Sequence, residues 1–172
     1  FVDALFAACA DASSSSSSSA ADASSGAVQC SLEASYLEIY MEQIRDLLNP
    51  SKAGTRKGAL RAREHPRTGP YVEDLAKVAC KTSDEVQMLL DHGNTVRTIG
   101  ATQLNVESSR SHAIFTLRLT QRQVVEPGSG EGQAARVSEK VSKIHLVDLA
   151  GSERVKRSGA QGQRLQETGA IN

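Results

Sequence analysis

Two short stretches hold the side chains best suited to chemistry. Residues 105–112 read NVESSRSH, and residues 146–153 read LVDLAGSE. The first sets Ser108 and Ser109 beside Arg110, which places hydroxyl donors next to a fixed cation. Hydroxyls can bind a phosphate oxygen or a Mg²⁺ ion, and the planar guanidinium fork suits phosphate or carboxylate. The second ends an apolar run in Asp148 and then turns at Gly151. An aspartate at the carboxyl end of a buried strand lies where open α/β sheets bind ligands. Mg²⁺ prefers oxygen donors and retains water, so one carboxylate can hold it directly or through water. Gly151 lets a backbone N–H approach a terminal phosphate with no Cβ in the way. Each stretch alone has an ordinary reading. NVESSRSH also fits a polar loop after a helix, and DLAG also fits a plain α/β core.

The elements that must carry these loops can be read from periodicity. Val2, Leu5, Phe6 and Cys9 have helical spacing, so residues 1–10 read as the end of a helix entered part-way. Residues 11–27 are a Ser/Ala-rich tract with nothing to bury, expected to be a flexible surface loop. Val28, Cys30, Leu32 and Ala34 alternate with polar neighbours, the period of a half-buried strand. Ile44, Leu47 and Leu48 read as one face of a short helix that Pro50 ends. Residues around Pro66 and Gly69-Pro70 read as short strands about a turn. Thr82 and Glu85 form a capping box opening a helix, with Val86, Leu89, Leu90, Val96 and Ile99 as its apolar face. Gly93 weakens that helix locally, and it is expected to fray near Gly100. Phe115, Leu117 and Leu119 mark a strand. Ile144, Leu146, Val147 and Leu149 are dense enough for a second strand buried on both faces. Those two strands would form an antiparallel hairpin, so the loops at their ends would be neighbours. Arg110 could then pair with Glu153 and latch one loop to the other.

Composition removes several functions. Lys+Arg and Asp+Glu each total 20, so the net charge is zero and no global field draws the chain to nucleic acid or membrane. Aromatics are 3% of the chain, too few for a base-stacking platform. No apolar run reaches the ~18 residues that a spanning helix needs. The expectation is therefore no nucleic acid and no membrane contact by this segment. Cys9, Cys30 and Cys80 have neither metal-ligand nor disulfide spacing and read as reduced thiols.

Taken together, NVESSRSH and DLAGSE resemble the switch I and switch II loops of the kinesin motor domain. YLEIYMEQIRDLLNP and GAQGQRLQETGAIN are similar to other segments of that domain. LRAREHPRTGPYVEDL is most similar to the kinesin-three, cargo-transporting subfamily. The resemblance spans residues 28–172. Myosins share an SSR and a D-x-x-G-x-E pattern, but the SRSH and DLAGSE wording favours kinesin. A GTPase is disfavoured by the lack of an N-K-x-D guanine-reading motif.

The resemblance implies an α/β fold: a partial P-loop NTPase motor domain with a central mixed β-sheet flanked by helices, truncated at both ends. It implies ATP and Mg²⁺ as cofactors. Ser108 would contact the γ-phosphate, Ser109 would help hold Mg²⁺, and Asp148 would bind Mg²⁺ through water. Gly151 would sense the γ-phosphate through its N–H. Arg110 and Glu153 would close the site and help order the attacking water, and Asn105 would orient switch I. His112 belongs to the motif, with no role evident beyond that of a satisfied structural histidine.

The implied partner is the microtubule, whose tubulin surface is acidic. Arg154, Lys156, Arg157 and Arg164 would approach it, with Arg67 and Arg63 as weaker candidates. Charge alone fits a solvated loop better than a partner surface. Cargo or adaptor would bind through regions outside this chain, and the location implied is cytoplasmic and cytoskeletal. A kinesin also needs a G-x-x-x-x-G-K-[ST] phosphate cradle, and none occurs in these 172 residues. The expectation is a fragment of an ATP-dependent microtubule motor, itself inactive. The alternative is a non-enzymatic microtubule-binding protein derived from a motor.

Overall fold

The structure is a computed structural model that describes residues 1–14, 25–50, 60–104, 110–125 and 136–151. It is α/β. Helix α1 spans Val2–Ser14 and helix α2 spans Ser83–Leu104. The strands are β1 (Ser25–Tyr40), β2 (Gln43–Asp46), β3 (Ala62–His65), β4 (Gly69–Val72), β5 (Val78–Cys80), β6 (His112–Val125) and β7 (Arg136–Asp148). The main sheet has the order β2-β1-β6-β7, and β5 also pairs with β1. The long β1 carries β2 along residues 37–40 and β5 along residues 32–34, both antiparallel. Helix α1 extends four residues past the expected end, and β1 starts three residues before the expected strand. Most of the Ser/Ala tract lies outside the described residues.

The chain divides into two compact units. One holds residues 1–34, 78–87 and 117–144. In it Leu32, Ala34, Cys80, Val86, Leu117 and Leu119 are buried. The Arg118–Glu33 ion pair, 2.7 Å, ties β6 to β1. Arg122 pairs with Glu139 of β7 at 2.6 Å. Cys9, Cys30 and Cys80 are not joined in a disulfide. Cys9 nevertheless faces Cys30, far from it in sequence. Burial and a hydrogen bond between the two thiols push the Cys9 thiol up.

The other unit holds residues 35–77, 88–116 and 145–172. Tyr36, Leu37, Tyr40, Ile44, Leu47, Ala113, Phe115 and Ala150 are its buried apolar residues among those described. The Tyr36 and Phe115 rings meet edge to face, with centroids 5.3 Å apart. Thr116 Oγ1 and His145 Nδ1 are 2.9 Å apart, joining β6 and β7. As the residue number rises along β6 from 116 to 122, that of its β7 partner falls from 145 to 139, so the hairpin is antiparallel as expected.

Two elements differ from the sequence reading. Residues 43–46 are strand β2, not the start of a helix. Tyr40 pairs with Gln43, and Met41 and Glu42 between them have φ of 47° and 62°. Positive φ at both central residues is the geometry of a tight hairpin turn matched to strand twist. The chain after β2 is then held by Asp46, whose Oδ1 accepts Leu48 N–H and Asn49 N–H, and whose Oδ2 accepts Ala76 N–H. Backbone amides captured by that carboxylate are not available to a helix.

The second difference concerns β7. Its apolar density implied burial on both faces, yet Leu146 is 50% and Val147 51% exposed. Successive strand residues point to opposite faces, so neither face of this stretch is covered by the described residues. β7 is also last in the sheet order, with β6 alone beside it among the described strands.

The helix α2 start is as expected. Glu85 N–H donates to Thr82 Oγ1 at 3.2 Å, and Glu85 Oε2 accepts Lys81 N–H at 2.7 Å. The reciprocal bond therefore reaches one residue further back than a simple capping box. Thr82→Ala should lower stability by about 1 kcal/mol in denaturant titration. An unchanged midpoint would mean that the first turn does not depend on this cap. At the other end the helix continues through Gly100 to Leu104 rather than ending near Gly100.

Candidate functional site

The antiparallel β6/β7 pair brings the start of β6 beside the end of β7. The first of these carries His112, the last residue of NVESSRSH, and the second opens DLAG. Two side chains at the start of β6 take part in holding the end of β7. His112 Nδ1 accepts the Ala150 N–H at 3.0 Å. Ser111, fully buried, is gripped by Arg97 from α2. Arg97 Nη2 donates to Ser111 O at 3.0 Å and to Ser111 Oγ at 3.2 Å.

The same guanidinium reaches the other motif. Arg97 Nη1 donates to Asp148 Oδ2 at 2.7 Å. Its Nε lies 3.6 Å from Glu38 Oε1 on β1, and both side chains are buried. Arg97 therefore joins α2, β1, the start of β6 and the end of β7. Only a rigid fork with donors on several edges can serve that many directions at once. Asp148 itself is 68% exposed at the side chain. It is held on one side by the guanidinium and open to water on the other.

This arrangement gives a charged carboxylate at a strand end, fixed by a buried cation, followed two residues later by a fixed backbone amide. A single half-solvated carboxylate fits an ion that keeps most of its water, as Mg²⁺ does. It does not fit an all-protein cage, and no cluster of three or more His, Cys, Asp or Glu that could hold a metal occurs among the described residues.

The structure brings together Asp148, Gly151 and the last two residues of NVESSRSH, Ser111 and His112. Gly151 is half-buried and directly follows the tethered Ala150, while Arg110 is half-buried and directly precedes Ser111. Asn105, Ser108, Ser109, Glu153, Arg154, Lys156, Arg157 and Arg164 lie outside the described residues, and so does the Arg110–Glu153 latch. Arg67 is exposed in the β3–β4 hairpin turn, where His65 Nδ1 accepts Arg67 N–H and Thr68 N–H. Arg63, on β3, is paired with Glu73 at 2.7 Å.

A family model for the kinesin motor domain matches residues 1–172, the whole chain. The chain belongs to the kinesin motor-domain family. Kinesin-like protein KIF1A of Rattus norvegicus is 51% identical over 142 residues, covering 83% of this chain and 8% of the relative. Kinesin-like protein unc-104 of Caenorhabditis elegans is 50% identical over 145 residues, covering 84% of this chain and 8% of the relative. Both agree with the kinesin-three resemblance read from LRAREHPRTGPYVEDL.

Among solved kinesins, a KIF14 dimer with AMP-PNP in complex with a microtubule matches with a TM-score of 0.70 and 40% identity. It covers 100% of this chain and 43% of that one. KIF14 with ADP in complex with a microtubule matches with a TM-score of 0.72 and 38% identity, covering 99% and 44%. The chain thus spans less than half of the kinesin motor chains it resembles, and under a tenth of the two full-length relatives.

Arg97 was the functional residue that sequence reading missed. A lone arginine inside NTVRTIG looks like a solvent-facing helix charge. Its position was informative all the same. Val86, Leu90, Gly93 and Arg97 follow the three-and-four spacing of one helix face, and Val86 is buried. An arginine on the core stripe of a helix needs a buried partner. Ile99, assigned to that stripe, is instead 52% exposed.

Proposed function

We propose that this chain is the nucleotide-sensing middle of an ATP-dependent microtubule motor, active in the full-length protein. The observation that carries this reading is the double tether of β7. Asp148 is held through Arg97, and Ala150 is held through His112, both anchored to the residues that end switch I. A change in either loop is thereby felt by the other, the property a nucleotide switch requires.

In this reading Asp148 holds Mg²⁺ through water, with Ser109 as a second oxygen donor. Ser108 and the Gly151 N–H meet the γ-phosphate, Asn105 orients switch I, and Arg110 pairs with Glu153 to close the site. Mg²⁺, when bound with ATP, neutralises charge on the phosphates. The chain's own contribution is positioning and charge stabilisation, the main sources of acceleration in phosphoryl transfer. Arg154, Lys156, Arg157, Arg164 and Arg67 form the basic contacts to the acidic tubulin surface, which places the protein on the cytoskeleton. Their contribution weakens as salt screens it. Residues 1–172 act as one part of the motor domain, with cargo or adaptor bound elsewhere.

The alternative reading is a non-enzymatic microtubule-binding protein derived from a motor. The deciding experiment measures ATP turnover by the full-length protein with and without microtubules, alongside co-sedimentation. The motor reading expects turnover that microtubules accelerate, and binding that ATP weakens. Co-sedimentation indifferent to ATP, with no turnover, would replace it with the passive binder.

A further inference from the structure

His112 closes the NVESSRSH motif, yet neither the phosphate nor the metal chemistry proposed above uses it. Its ring nitrogen meets a backbone amide of the other motif. Because Ala150 N–H donates to Nδ1 at 3.0 Å, that nitrogen carries no proton, and a neutral ring must then be protonated on Nε2. Ala150 is buried, 8% exposed, so its N–H has little water to turn to if the imidazole is removed.

The geometry has a consequence for the next residue. A peptide unit is planar, so holding the Ala150 N–H fixes the whole Leu149–Ala150 plane. The Gly151 N–H belongs to the following plane, separated from the first only by the two soft dihedrals of Ala150. On the far side of Leu149, the Asp148 carboxylate is held by Arg97 at 2.7 Å. The segment is therefore fixed at two points, one on each side of Leu149, just before Gly151.

We propose that His112 is a positioning residue. Through its bond to Ala150 N–H it aims the Gly151 N–H at the place a terminal phosphate oxygen would occupy. His112 does not touch nucleotide. It converts the end of switch I into a fixed support for the first turn of switch II. The proposal rests on the ATPase reading for its effect on turnover, but the tether can be tested by itself.

The first test uses the full-length protein with ¹⁵N-labelled histidine. Imidazole ¹⁵N shifts should show Nδ1 unprotonated, with the proton on Nε2. Hydrogen exchange at the Ala150 amide should be slow in the wild type and in His112→Asn, whose Oδ1 can replace Nδ1 as acceptor. It should be fast in His112→Ala. A ring protonated at Nδ1, or exchange equally fast in wild type and His112→Ala, overturns the tether. If His112→Ala does not fold, the wild-type tautomer and the His112→Asn exchange rate still decide.

The second test uses the full-length protein. His112→Ala should lower kcat about five- to tenfold, roughly what one hydrogen bond contributes, with KM for ATP little changed. His112→Asn should recover most of that loss. Equal turnover in wild type and His112→Ala, or a change in KM alone, overturns the positioning role. A wild type with no turnover instead overturns the ATPase reading, and the exchange data then stand as evidence for the tether only.

Discussion

Arg97→Ala should destabilise the chain by about 3 kcal/mol in denaturant titration, the lower end of what breaking a buried ion pair costs. The loss has two sources. Glu38, buried at 7% exposure, would lose the guanidinium 3.6 Å away and, among the described residues, keep Arg45 at 3.8 Å. The Ser111 carbonyl and hydroxyl would lose the guanidinium inside the core. The Asp148 contact adds little to stability, because that carboxylate is largely solvated and screened. Under the proposed motor reading, its importance is functional. Groups that orient a metal-binding carboxylate typically change metal affinity ~10–100-fold when removed. In the full-length protein, the Mg²⁺ concentration needed for half-maximal nucleotide retention should rise by a factor in that range. Arg97→Lys separates the two effects. A lysine can keep a charge near Asp148, but it cannot donate to Ser111 O, Ser111 Oγ and Asp148 together. It should recover part of the Mg²⁺ response and little of the stability. Unchanged stability in Arg97→Ala would show that Glu38 finds water or another partner, and that the buried bridge is not a fixed feature of the fold.

The elements that alternate cleanly were legible because one face of each is buried here. Leu32, Ala34 and Tyr36 on β1, and Phe115, Leu117 and Leu119 on β6, are buried at every second position. The helix α2 start was legible because its cap is local, made by residues three and four apart. Other features depended on distant residues. β2 looked helical because three apolar residues within five positions fit either period. The competing facts, two positive φ values and the capture of amides by Asp46, are not visible as hydrophobicity. The burial of β7 was inferred from density, but density reports what a strand could bury and not which neighbours cover it. At the site, DLAG and SRSH were legible as motifs, while the residues tying them together were less so. Arg97 comes from a helix whose contacts to β6 and β7 no local pattern specifies. His112 could be assigned only after the hairpin register set it beside Ala150.

Gly93→Ala should destabilise the chain even though helix propensity favours the change. In the middle of a helix, alanine is better than glycine by about 1 kcal/mol. Here the added methyl would sit 2.7 Å from Tyr36 Cε1 and closer still to Cδ1. The ring has little freedom to yield. Its hydroxyl donates to Asn94 Oδ1 at 2.8 Å, and its edge or face is set against Phe115 at an interplanar angle of 85°. Overpacking costs about 1–3 kcal/mol, and so close an approach to a fixed ring belongs in the upper part of that range, so after the propensity gain of about 1 kcal/mol a net loss of about 1–2 kcal/mol is expected. Tyr36→Ala leaves room for the methyl, so the double variant should be less destabilised than the sum of the two single changes. Strict additivity would show that the ring and the glycine do not constrain each other. A net gain for Gly93→Ala would show that α2 moves away from β1 without penalty. That second outcome would also bear on the site, because Gly93 and Arg97 are one helical turn apart. The close approach of α2 to Tyr36 is what allows a helix-borne guanidinium to reach Ser111 and Asp148 together. A displaced helix should therefore loosen the Arg97–Asp148 contact as well, and Gly93→Ala should show a weaker form of the Mg²⁺ response expected of Arg97→Ala.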